Sequence, residues 1–106
     1  MDPNIHNGYT KTPTLEASAV EPILTFCIKG ISFSDLEHEM QKAFPMPSNK
    51  LKTYLLYLID YQIISYSGQK KVYDIEYCGL DLLDMIFQEK RTAPNEDNND
   101  IIITLE

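Results

Sequence analysis

The chain of 106 residues predicts an α+β, mainly helical domain built from three helices, a β-hairpin and a C-terminal helix. Three observations carry that expectation. Apolar residues recur at steps of three, four and seven in four separate stretches, the mark of helices with one buried face. Two short runs of β-branched and aromatic residues flank Ser67-Gly68-Gln69, the mark of a hairpin. Pro, Gly and Ser fall between these stretches rather than inside most of them, so each element has its own start and stop. The boundaries that follow are a flexible N-terminal arm over 1–14, one domain over 15–90 and an acidic tail over 91–106.

The arm carries Pro3, Asn4, Asn7, Gly8 and Pro13 with almost no apolar periodicity. From Leu15, the residues Val20, Ile23, Leu24, Cys27 and Ile28 line one helical face, with Pro22 tolerated in a first turn or at a kink and Gly30 as the terminal cap. Ser34 followed by Glu37 reads as a capping box for a second helix, from about Asp35 to Ala43, which Pro45 stops. After the turn Pro45-Met46-Pro47, Ser48 is the expected N-cap of a third helix with Leu51, Tyr54, Leu55, Leu58 and Ile59 on one side. The periodicity breaks near Asp60 to Gln62. The hairpin strands are Ile63 to Tyr66 and Lys71 to Ile75, and a last helix runs from about Gly79 to Lys90. Beyond it, Asn95 to Asp100 is an acidic polar linker. Ile101 to Leu105 is either an edge strand, added within the chain or to a second one, or an unstructured tail.

Composition narrows the function. At 43% apolar residues the chain can build a core without metal or disulfide support. No stretch approaches the roughly 20 apolar residues that span a bilayer, and no basic-then-apolar leader opens the sequence, so a cytoplasmic protein is expected. Cys27 and Cys78 lack CxxC partners, which makes free buried thiols the expectation and a redox pair the alternative. His6 and His38 have no metal-ligand spacing, and no phosphate loop or nucleophile elbow is present. Neither an enzyme nor a cofactor or metal site is expected. The net charge of −7 speaks against nucleic acid until its distribution is considered. From Ser48 to Ile75, Lys50, Lys52, Lys70 and Lys71 face only Asp60 and Asp74, so this stretch alone is net positive.

Helix, helix, short turn, helix, hairpin, helix is the order of a winged helix-turn-helix, in which the third helix enters the major groove and the hairpin lies on the backbone. The run from Leu51 to Ile64, followed by Tyr73 to Leu83, resembles small archaeal and bacterial winged-helix transcriptional regulators. Two positions depart from that pattern. Gln62 stands where the family commonly has glycine, which implies a left-handed backbone at modest strain, and Glu76 replaces the usual threonine.

That resemblance implies double-stranded DNA as the partner, with a recognition helix over about 48–60 and a wing over about 63–75. Asn49, Lys50, Lys52 and Thr53 are the candidates for base and phosphate contact on the helix, with Ser48 as a cap that can also meet a phosphate. Gln69, Lys70 and Lys71 are the candidates at the wing tip. Each group also has a plainer reading, as a solvated helix face and a solubilising charged tip. The last helix holds more apolar residues than one stripe needs, and Leu82, Met85 and Ile86 are the candidate interface of a homodimer. The competing function is a winged-helix protein-interaction module whose acidic surface is the working face. Six of the seven tyrosines lie in or near the helix-hairpin unit, where core packing accounts for them.

Overall fold

The computed structural model describes residues 14–92 and 102–105. They form four helices and two small antiparallel sheets, in the order β1 (Thr14–Glu16), α1 (Ala17–Cys27), α2 (Phe33–Ala43), α3 (Ser48–Asp60), β2 (Ile64–Ser67), β3 (Val72–Ile75), α4 (Tyr77–Thr92) and β4 (Ile102–Thr104). The architecture is α+β and mostly helical. The expected arm other than Thr14, and most of the acidic tail, lie outside the described residues.

The first and last described segments meet. β1 pairs with β4 in antiparallel register, Leu15 opposite Ile103. Of the readings open to the Ile-rich tail, the edge strand within the chain is the one found, with Leu105 buried just beyond it. The pairing moves the start of the first helix, because Leu15 belongs to β1 and α1 begins at Ala17. Pro22 is inside α1, past its first turn, where it withholds an amide from the helical ladder. Val20, Ile23, Leu24 and Cys27 are fully buried along that helix, as their spacing requires. Gly30 follows with φ +83, and its amide donates to the Cys27 carbonyl at 3.1 Å.

The next start also differs from expectation. Ser32, not Ser34, caps α2, its hydroxyl accepting from the Asp35 amide at 3.2 Å. The cause is tertiary. Ile31 exchanges two backbone hydrogen bonds with Tyr73 of β3, at 3.0 and 2.7 Å, which holds the chain extended up to Ser32. α3 begins at Ser48 with Pro47 in the cap position, so Ser48 is the first helical residue rather than the cap. Leu51, Tyr54, Leu55 and Leu58 form its buried side. The Tyr54 hydroxyl accepts from the Glu16 amide at 3.1 Å and ties β1 to α3.

Gln62 adopts φ 60, the left-handed backbone implied by its place in the pattern. The hairpin pairs Ile64 with Ile75 and Tyr66 with Tyr73, whose rings lie 4.8 Å apart between centroids. Its turn is Gly68 to Lys71. Lys71 takes φ 59, its amide donating to the Ser67 carbonyl at 2.6 Å. Glu76, the second departure, accepts from the Ser65 hydroxyl at 2.6 Å. α4 opens at Tyr77, two residues before the expected Gly79. Gly79 is where α4 crosses the backbone of Ile63, and Leu83 and Ile86 complete the core from this helix.

Candidate nucleic-acid interface

α3 presents one continuous solvent face because its four core residues all lie on the opposite side. Asn49, Lys52, Thr53, Leu56 and Asp60 recur there at steps of three and four, and all are exposed. Lys50 is exposed beside them. The structure therefore gathers Asn49, Lys50, Lys52 and Thr53 on one helix. Their side chains are not equally free. The Thr53 hydroxyl donates to the Asn49 carbonyl at 2.9 Å, and the Lys52 ammonium lies 5.5 Å from the centre of the Phe33 ring on α2.

Ser48 is occupied. Its hydroxyl donates to the carboxylate of Glu37, placing an acid from α2 at the N-terminus of α3. A carboxylate is favoured there by the helix dipole and takes the place that a phosphate would otherwise fill. Phosphate contact by Ser48 would first require Glu37 to leave.

At the hairpin tip Gln69, Lys70 and Lys71 are all exposed. The Lys70 amide donates to the Ser67 hydroxyl at 3.2 Å, which stabilises the turn and leaves the ammonium groups in solvent. Phe33, Glu37 and Leu56 are the residues near these sites that sequence reasoning missed. Leu56 had a signal: it lies seven residues, about two turns, from Asn49 and away from the core positions. Phe33 and Glu37 had none, since their part depends on how α2 meets α3.

The candidate dimer residues border one groove but are not equally accessible. Ile86 is 2% exposed and belongs to the core, so it is not available to a partner. Helical phase explains this, because Leu83 and Ile86 point inward together. Leu82 and Met85 line an open groove of about 470 Å³ between α4 and β4, which Cys78 and Ile102 also border. Tyr77, Leu80, Met85 and Phe87 are the exposed apolar residues of α4. A salt bridge from Lys90 to Glu21 joins α4 to α1.

Cys27 and Cys78 are both free thiols, one buried and the other exposed. Burial, with a smaller effect from Asp74, pushes the Cys27 thiol up to about 12. Burial likewise raises Tyr73, with Tyr66 and Cys27 adding to it. Among the described residues no group of three or more His, Cys, Asp or Glu side chains is placed to hold a metal ion, and no helix is long and apolar enough to cross a membrane. No protein-family model, curated protein or solved structure matches the chain.

Proposed function

We propose that this protein is a winged helix-turn-helix regulator that binds double-stranded DNA, with α3 in the major groove and the β2–β3 hairpin against the backbone. The observation that carries the reading is where the positive charge sits. In a chain of net charge −7, Lys50, Lys52, Lys70 and Lys71 are exposed on the two elements that such a fold offers to a duplex. The element order supports it, as does the Ile31–Tyr73 bridge, which adds a third extended segment beside the hairpin. Asn49 and Thr53 have the chemistry to read base edges, and Lys70 and Lys71 to meet phosphate. Acidic flanks weaken binding to arbitrary sequence and leave discrimination to these few contacts.

The exposed apolar residues of α4 favour a second element of the proposal, a homodimer in which Leu80 and Phe87, two turns apart on one side of α4, meet a second copy. They equally favour the competing reading, a module that docks a different protein. Binding of the full chain to a pool of random duplexes at about 50 mM salt separates the two. The DNA reading expects measurable affinity that Lys52→Ala weakens. Absence of affinity from the unaltered chain would leave the interaction module. Light scattering at tens of micromolar checks the dimer, which a monomeric mass would contradict.

A further inference from the structure

The solvent face of α3 has an apolar residue at its middle. Leu56 is 61% exposed, two turns from Asn49 and one turn before Asp60 on the same side of the helix. Leu56 is the large apolar side chain that α3 leaves exposed, between Asn49 and Asp60. Its neighbour Thr53 is exposed too, and its hydroxyl is committed to the Asn49 carbonyl at 2.9 Å, so its methyl is the group left to offer. Lys52 is drawn aside over the Phe33 ring. Asp60 closes the surface, because its carboxylate is repelled by phosphate.

We propose that Leu56 is a specificity-determining residue that, together with Thr53, reads the C5-methyl groups of thymines in the major groove, beside an adenine read by Asn49. The proposal rests on the DNA-binding reading and deepens it. Apolar side chains meet thymine in the major groove through that methyl alone, and Asn pairs with the adenine edge through two hydrogen bonds. Thr53 and Leu56 are separated by about 4.5 Å along the helix axis. Base pairs stack about 3.4 Å apart, so the two residues reach neighbouring pairs. The preferred site therefore carries adjacent A·T pairs under the first three turns of α3.

The test uses the full chain and a duplex selected from a random pool, remade with deoxyuridine in place of one thymine at a time. Uracil keeps the hydrogen-bonding pattern and loses the methyl. Affinity is expected to fall roughly fourfold at one or two positions, the worth of one buried methyl group. Leu56→Ala is expected to bind the thymine and uracil duplexes alike at one of those positions. Because Leu56 lies outside the core, its replacement leaves the denaturation midpoint in place, so a folding defect is not mistaken for lost recognition. Indifference of the unaltered chain to uracil at every thymine would overturn the role of Leu56 while the DNA reading stood. So would a Leu56→Ala protein that loses affinity equally for both duplexes, or one that changes only its self-association. Failure to select any duplex would take the DNA reading down with it.

Discussion

At Gly79 a side chain has nowhere to go. A Cβ there would lie 2.3 Å from the Ile63 carbonyl oxygen and 2.6 Å from the Ile75 side chain. The first contact is with backbone at the start of the hairpin, so relief would require moving α4 as a whole. Gly79→Ala is expected to destabilise the fold by about 3 kcal/mol, read as a lower denaturant midpoint at unchanged slope. A midpoint equal to that of the unaltered chain would show that α4 does not cross Ile63 this closely. Gly79 was read from sequence as the first residue of the helix, and Gln62 as a left-handed position. The second reading came from the resemblance, which has glycine at that place, and the backbone at Gln62 is left-handed; the crowding at Gly79 depends on where α4 meets Ile63.

Cys27 and Cys78 show the same limit in chemical terms. Their spacing pointed to free buried thiols, with a redox pair as the alternative; Cys27 is buried as expected, whereas Cys78, on the opening turn of α4, is exposed. With its thiol pushed from an ordinary 9.0 to about 12, Cys27 stays protonated at neutral pH and unreactive. A thiol reagent at pH 8 is expected to label one cysteine quickly, and the second only on unfolding. Because the folded pKa is the higher one, stability is fully present below about pH 9 and falls as pH rises from 9 toward 12. Tyr73 is raised as well and adds in the same direction. Chemical denaturation at pH 8 and pH 10.5 checks it, with Cys27→Ala expected to flatten the difference. Rapid labelling of both thiols in the folded protein would contradict the buried placement.

Among the elements, helix interiors were more legible than helix starts. Most buried positions of α1 and α3 follow from apolar spacing, with Val20, Ile23, Leu24, Leu51, Leu55 and Leu58 all in the core, but Ile28, expected on the same face of α1, lies just past its end and is exposed. The starts follow from what the preceding residue is bonded to. Ser32 and Ser34 each have an acid three residues on, so both satisfy the capping pattern locally. The Ile31–Tyr73 hydrogen bonds decide in favour of Ser32. Ser32→Ala is expected to cost about 1 kcal/mol, and Ser34→Ala much less, since the Ser34 side chain caps nothing. Equal losses, measured by thermal or denaturant unfolding, would place the cap elsewhere. The start of α1 shifted for a similar reason: Leu15 pairs with Ile103, a contact across nearly the whole chain that no local window contains.

For the whole molecule, the decisive feature is that the net-positive stretch of an acidic chain places exposed lysines on α3 and at the hairpin tip. Sequence alone showed that Ser48 to Ile75 is the one net-positive stretch. It could not show that Glu37 occupies the N-terminus of α3, that Lys52 rests over Phe33, or that Leu56 lies at the centre of the exposed face. These depend on how α2 meets α3 and on which side of α3 is buried. It also placed Ile86 on the outside, when helical phase puts it in the core.

The salt dependence of duplex binding tests the central claim most directly. If Lys50, Lys52, Lys70 and Lys71 each neutralise one phosphate, log Kd is expected to rise against log salt with a slope of about 4, and replacing Lys70 and Lys71 together should lower that slope by about 2. An unaltered chain that fails to bind any duplex at about 50 mM salt, or one whose salt slope ignores both substitutions, would contradict the assignment of this surface to DNA.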